Sequence, residues 1–514
     1  MFTKDQPKLR NWINGQFVDP VAVGAGSGSG SGSDGTTTTT TTTTVNDYLP
    51  VTSPHNGKVI GQVPISTAAD VQQAVAAATA AFPAWSGRTV KDRAQILIRF
   101  HGLISKYADQ LADMVVLEHG KNKTEAMASV LKGQETVEYA MSLPQLTQGK
   151  SLEVSRGVTC CDRREALGVV ASVVPFNFPV MVPMWTLPIA IGMGNTMVLK
   201  PSEKVPFTMC KIVELLKEAG LPDGVVNLVH GTADAVNALI DHPDVKAVTF
   251  VGTSHVADLV SQRCHKLGKR VLALGGAKNH MVAAPDCNLE MTSQDVVNSF
   301  AGCSGQRCMA ASVLLTIGHQ QALLDKIVAK AEALRPGSDA GQVGPVIDQV
   351  SLDKIKRYID EAEAGGARIL VDGRGWTREQ PEGFWVGPTV ILHTNKHDAA
   401  LHDEIFGPVL SILAVESADE ALAFENANPY GNAACIYTGS GATAEYFTQR
   451  FSAGMVGVNI GVPVPREPFS FGGWNRSRFG NHCDITGDGG IEFFSARRKV
   501  TTKWVRQENA SWMS

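Results

Sequence analysis

Hydrophobic and polar positions in this chain follow two periods, helical and extended, that take turns. After Ser66 the spacing is helical. Val71, Val75, Ala78 and Phe82 share a face, Thr67 stands where it can cap, Asp70 meets the positive end of the helix dipole, and Pro83 is expected to end the helix. A second helix is predicted around 94–105, with Ile96, Leu97 and Phe100 on its buried side. From about 166 to 290, short apolar runs at 167–174, 196–199, 225–229, 248–251 and 281–283 are separated by helical stretches. One of these is 208–218, where Ile212, Val213, Leu215 and Leu216 form the inner face and Gly220 the stop. Strands that read as unbroken apolar runs are covered on both faces, so the pattern predicts a parallel, doubly wound α/β sheet. The alternation resumes over about 295–480, at 313–317, 368–371, 409–414, 434–437 and 455–458, and predicts a second α/β domain. The tail, 491–504, sets Phe494 and Val500 among Arg497, Arg498 and Lys499 and is expected to form an edge strand that pairs with another subunit.

One segment obeys neither period. Residues 24–44 run through Ser-Gly repeats, Asp34-Gly35 and nine consecutive threonines, Thr36 to Thr44. Such a stretch has too little apolar surface to offset the entropy of ordering, so it is expected to be a flexible surface insertion. It separates two pieces that look like structural neighbours, 12–18 with its Asn14-Gly15 turn and 51–61. The only complete G-x-G-x-x-G, Gly30 to Gly35, lies inside it, with no strand before it and no helix after it, and is a compositional coincidence.

Composition narrows the classes. The 514 residues, 44% hydrophobic and 19% charged, suit a soluble globular protein with a large core. A net charge of −4 and the lack of a basic stripe give no nucleic acid or membrane partner. Nine irregularly spaced cysteines, several in apolar segments, indicate reduced thiols rather than a disulfide framework, and no pair has the spacing of a zinc site. No metal is expected. The first residues are neither a secretory signal nor a membrane span, and the expected compartment is the mitochondrial matrix or the cytoplasm.

Chemistry concentrates in a few segments. Cys308 follows Gly305-Gln306-Arg307. A lone cysteine is more often a small buried hydrophobe, but these neighbours do not belong to a core. Arg307 can favour the thiolate, and a glycine-rich approach lets backbone N–H groups reach an oxyanion. Cys303 is the rival nucleophile. Asn177, just past a strand and flanked by Pro175 and Pro179, is either a loop residue bonded to backbone or an amide aimed at a carbonyl oxygen that becomes an alkoxide. Lys200 and Glu203 follow the next strand, at the carboxyl edge where open parallel sheets bind ligands, and are either a solvated turn or a grip on ribose hydroxyls. Phe250 to Ser254 is again strand, glycine and helix start, suited to backbone approach to a phosphate or nicotinamide group.

Together, Pro175-Phe176-Asn177-Phe178-Pro179, Gly276-Ala277-Lys278-Asn279-His280, Gly305-Gln306-Arg307-Cys308-Met309-Ala310 and Glu404-Ile405-Phe406-Gly407-Pro408 resemble the aldehyde dehydrogenase superfamily, and within it the CoA-acylating methylmalonate-semialdehyde dehydrogenase branch. The resemblance covers nearly the whole chain outside the insertion. It implies that Cys308 is the nucleophile and Asn177 the oxyanion amide. It also implies that Val174, Phe176, Lys200, Glu203, Lys204, Thr253, Gly275 and Glu404 contact NAD. The implied architecture is a dinucleotide-binding domain (1–140 and 162–283, with 24–44 inserted), a catalytic domain (284–480), and an oligomerisation arm and tail (141–161 and 481–514). The implied assembly is a homodimer or homotetramer.

One departure matters. Hydrolytic relatives resemble one another in a Glu-Leu-Gly-Gly motif whose glutamate activates water. Here the run is Leu272-Ala273-Leu274-Gly275-Gly276, and the glutamate position holds Ala273 or Leu274, neither of which can take a proton. Coenzyme A then becomes the expected acyl acceptor, giving propionyl-CoA or acetyl-CoA after loss of CO₂. The substrate carboxylate is expected on Arg307, with a planar fork, and on Lys132, which stands where the family carries a second arginine. The rival readings are a hydrolytic NAD-dependent aldehyde dehydrogenase and a catalytically silent relative kept for binding.

Overall fold

The computed structural model describes residues 7–21, 47–481 and 483–504. The low-complexity segment and its glycine motif lie outside these residues. In the first of two large sheets, five parallel strands stand in the spatial order Val226–Leu228, Thr196–Lys200, Val169–Val173, Val245–Val251 and Arg270–Leu274. Antiparallel edges close it on both sides: Asn11–Ile13 with its hairpin partner Gln16–Val18, and Arg478–Gly480. The hairpin turns through Asn14 and Gly15, at φ 51° and 77°, the pair of left-handed residues that a two-residue turn requires.

The apolar runs are explained by where alternate residues go. Val170 enters one core with Leu199 and Leu272, while Ala171 and Val173 enter the opposite core with Val248 and Val271. Both faces are covered, so no polar alternation survives. The chain steps outward from Val169–Val173 to Thr196–Lys200 and Val226–Leu228, then returns to Val245–Val251 on the other side. That reversal opens a crevice at the carboxyl ends of Val169–Val173 and Val245–Val251.

The second sheet runs Arg368–Val371, Thr389–His393, Val409–Val415, Ala311–Ile317, Asn279–Ala283, Ala433–Tyr437 and Met455–Val458, parallel except at its first pair. Asn279–Ala283, expected as the last strand of the first domain, pairs here instead. The chain passes from one sheet to the other between Leu274 and Asn279. Among the described residues no helix is long and apolar enough to cross a membrane.

Three local expectations are corrected. Pro83 does not end its helix, which runs over Ala68–Ser86 from the Thr67/Asp70 capping box. Trp85 is buried and donates its indole N–H to the Ile191 carbonyl at 3.1 Å, which holds the last turn in place despite the bond that Pro83 cannot make. The pieces flanking the insertion are neighbours, but through residues 7–9: Leu9 N–H donates to the Gln62 carbonyl at 2.8 Å and Gln62 N–H to the Pro7 carbonyl at 2.9 Å. The tail begins as helix, Gly487–Phe493, because Ile491 and Phe493 are drawn into the core. Only Ser495–Lys503 is a strand, the edge of a three-stranded sheet with Val158–Ala166 and Ser151–Ser155 of the same chain.

Candidate active site

Two cavities meet at Cys308. The first, about 350 Å³, opens on the crevice of the doubly wound sheet. All eight residues expected to contact NAD line it: Val174, Phe176, Lys200, Glu203, Lys204, Thr253, Gly275 and Glu404. The second, about 450 Å³, contains Arg307 and Lys132 together with apolar side chains. Cys308 and Trp185 line both. Cys303 lines only the second, and its backbone N–H donates to Glu125 Oε1 at 2.7 Å. Of the two cysteines, Cys308 alone lines both cavities.

The segment carrying Cys308 is held from several sides. Cys303, Ser304 and Gly305 adopt successive left-handed φ of 51°, 56° and 68°. A Cβ on Gly305 would lie 2.0 Å from the Gly407 carbonyl oxygen, so only glycine lets the Glu404–Pro408 segment pass. Gln306 is fully buried and its Oε1 accepts from Ile347 N–H at 2.9 Å. The Cys308 carbonyl accepts from both Asn279 Nδ2 and Asn432 Nδ2, each at 2.8 Å. These two amides fix the Cys308 backbone and escaped the sequence reading. Asn279 lies inside a recognised motif, but a lone Asn432 carries no local signal.

Burial, and after it the Glu404 carboxylate, pushes the Cys308 thiol up to about 12, although the backbone N–H groups of Cys308 and Met309 pull the other way. Arg307 contributes least to this balance. Its guanidinium is directed at Glu125 Oε1, 3.2 Å away, and toward Cys303, so it favours the Cys308 thiolate, as expected, but weakly. Because the thiol is protonated at neutral pH, the thiolate share grows about tenfold per pH unit. Alkylation of Cys308 by iodoacetamide, followed by peptide mass spectrometry, is expected to accelerate from about pH 7 to pH 10 without levelling. A plateau below about pH 9 contradicts this.

Asn177 lies in the loop between Val169–Val173 and the helix Met181–Gly192. Its Nδ2 donates to the Gln306 carbonyl at 3.0 Å, which uses one of its two hydrogens, and its own carbonyl accepts from the buried Lys121 ammonium at 2.7 Å. Asn177 is thus bonded to backbone, the first of its two expected readings, and keeps a second side-chain N–H that this bond does not use.

On the dinucleotide side, Lys200 is buried and lies 3.5 Å from Glu203, presenting a cation and an acceptor together, as a vicinal diol requires. Thr253 caps the helix Ser254–Lys266, whose N-terminus faces the crevice. Glu404 Oε1 accepts from Ala277 N–H at 2.9 Å, and a Cβ on Gly276 would lie 2.4 Å from its other oxygen. Lys204 is turned toward Asp348, at 2.5 Å. Lys354, absent from the sequence reading, also lines this cavity. Ala273 and Leu274 line neither cavity and are packed in the cores.

Lys132 and Arg307 do share a cavity, but each is already paired. Lys132 lies 2.9 Å from Glu135 and 3.4 Å from Glu467. Among the described residues, no group of His, Cys, Asp or Glu is placed to hold a metal ion.

The profile of the aldehyde dehydrogenase family matches residues 40–500. Malonate-semialdehyde dehydrogenase 1 of Geobacillus thermodenitrificans is 42% identical over 459 residues, 88% of this chain and 95% of the relative. A crystal structure of methylmalonate-semialdehyde dehydrogenase from Oceanimonas doudoroffii superposes with a TM-score of 0.90 at 38% identity, covering 98% of this chain and 99% of the other. A Sinorhizobium meliloti 1021 structure, named for the same activity and complexed with NAD, superposes with a TM-score of 0.91 at 34% identity over 99% of this chain and 100% of its own. With a family profile matched over 40–500 and relatives 42% and 38% identical over nearly their whole length, the chain belongs to the aldehyde dehydrogenase family.

Proposed function

We propose that this chain oxidises a malonate-type semialdehyde, malonate or methylmalonate semialdehyde, with NAD, and hands the decarboxylated acyl group to coenzyme A. One observation carries the reading: Cys308 stands at the junction of a dinucleotide crevice and a largely apolar cavity that contains Arg307, while the motif that would supply a water-activating glutamate holds Ala273 and Leu274. The names of the relatives support the substrate class.

The chemistry follows from the residues in place. The Cys308 thiol first loses its proton to solvent, the minor thiolate form adds to the aldehyde carbon, and the spare Asn177 N–H, with the Cys308 backbone N–H, stabilises the alkoxide that forms. Lys200, Glu203, Thr253 and Glu404 fit NAD, which when bound supplies the acceptor for the hydride that leaves the same carbon. Arg307 holds the substrate carboxylate. As CO₂ departs from the resulting β-carboxy thioester, the oxyanion donors stabilise the enolate left behind. A thiol then outcompetes water, because no carboxylate stands at the motif position that would activate water. Coenzyme A leaves as propionyl-CoA or acetyl-CoA. The exposed arm strands Ser151–Ser155 and Ser495–Lys503 are the surface we assign to an even-numbered self-assembly, readable by sedimentation.

The test is steady-state NADH formation with both semialdehydes, with and without coenzyme A, and mass spectrometry of the products. Omitting coenzyme A is expected to slow turnover by about a hundredfold or more, the usual cost of lacking a general base. Free acid as the main product would transfer the assignment to hydrolysis.

A further inference from the structure

The cavity beside Cys308 is larger and more apolar than a three- or four-carbon semialdehyde needs. Its volume of about 450 Å³ falls within the roughly 300–1,000 Å³ that accommodates drug-sized ligands. Phe178, Met181, Trp185, Met309, Val462 and Phe471 make most of its wall. The wall is built rather than loose: Trp185, Met309 and Phe471 are buried, and the Trp185 and Phe471 rings stack with centroids 4.4 Å apart.

Charge in this cavity is confined and largely spoken for. Toward solvent, Arg466, with a side chain 74% exposed, lies 2.8 Å from Glu135, and Lys132 is held between Glu135 and Glu467. Two cations and two carboxylates balance there, which leaves little attraction for a further anion. Arg307 differs. It is adjacent to Cys308 in the chain and gives one nitrogen to Glu125, and a guanidinium has five N–H donors. The cavity therefore has places for one carboxylate, next to the nucleophile, and for an apolar group of considerable size.

We propose that the chain prefers 2-substituted 3-oxopropanoates whose substituent is a bulky apolar group, such as benzyl or a medium-length alkyl chain, over malonate and methylmalonate semialdehyde; this rests on the semialdehyde reading above. The carboxylate lies on Arg307, the aldehyde carbon on Cys308, and the branch against Trp185 and Phe471, where apolar surface leaves water. The reaction balances as aldehyde, NAD⁺ and CoA–SH giving the decarboxylated acyl-CoA, CO₂ and NADH. The aldehyde C–H leaves as hydride, the C–CO₂ bond breaks, and the thiol proton of coenzyme A ends on the carbon that lost CO₂.

The full-length chain, with NAD and coenzyme A, is assayed on methylmalonate semialdehyde, 2-benzyl-3-oxopropanoate and 3-phenylpropanal, the last being the benzyl substrate without its carboxylate. The expected kcat/KM for the benzyl acid exceeds that for methylmalonate semialdehyde by at least about tenfold, the discrimination a single methylene already affords. Val462→Trp, which fills the cavity, is expected to bring that ratio to one or below. A benzyl acid turned over no better than methylmalonate semialdehyde overturns the proposal and leaves the semialdehyde reading intact. Turnover of 3-phenylpropanal alone, with neither acid accepted, overturns both.

Discussion

Cys308→Ala is expected to reduce NADH formation by at least about ten-thousandfold, as loss of a covalent nucleophile does when no neighbour replaces it. The protein should melt within a few degrees of the parent, because the Cys308 backbone is held through its carbonyl by Asn279 and Asn432 and not through its sulfur. NAD binding, followed by fluorescence, should persist, since the eight crevice residues expected to contact NAD are untouched. The companion variant Cys303→Ala separates the two sulfurs. It should retain activity within about an order of magnitude, because Cys303 lines only the substrate cavity and its contact with Glu125 runs through backbone N–H. The reverse outcome, with Cys303→Ala dead and Cys308→Ala active, would move the nucleophile and remove the basis of the functional assignment.

Asn177→Ala should lower kcat by roughly 100- to 1,000-fold, the measured cost of removing one oxyanion donor. Because Asn177 also bonds the Gln306 carbonyl, a lower rate alone would not distinguish a donor from a clamp. Iodoacetamide does so. Its reaction with Cys308 passes through no oxyanion, so a residue that acts only on the alkoxide leaves the alkylation rate unchanged. A residue that mainly holds the loop alters it. The expected result is a large fall in kcat with alkylation within about twofold of the parent. Parallel losses in both measurements would make Asn177 a positioning residue, with the Cys308 and Met309 backbone N–H groups left as the oxyanion donors.

How much of this could be read along the chain depended on how local the cause was. Helix and strand positions were legible because burial on one face or two imprints a period on the sequence, as at 71–82 and 169–173. The Thr67/Asp70 cap and the Asn14-Gly15 turn were legible because each satisfies its own neighbours. The eight residues expected to contact NAD came from a family pattern, and one crevice gathers all of them. Pro83 was misjudged for the opposite reason. A local rule ends the helix there, but Trp85 reaches across to Ile191 and a contact 106 residues away prevails.

By itself the sequence determined the α/β class, the segments that carry chemistry and the missing glutamate, since each depends on residue type and short spacing. Tertiary structure alone decided which cysteine faces both cavities. It likewise decided that Asn279–Ala283 belongs to the second sheet, and that Lys132 and Arg307 enter the substrate cavity already bound to Glu135, Glu467 and Glu125. Those outcomes turn on which distant groups come within a few ångströms of one another, and hydrogen bonds, ion pairs and burial act over that range only after the chain has folded.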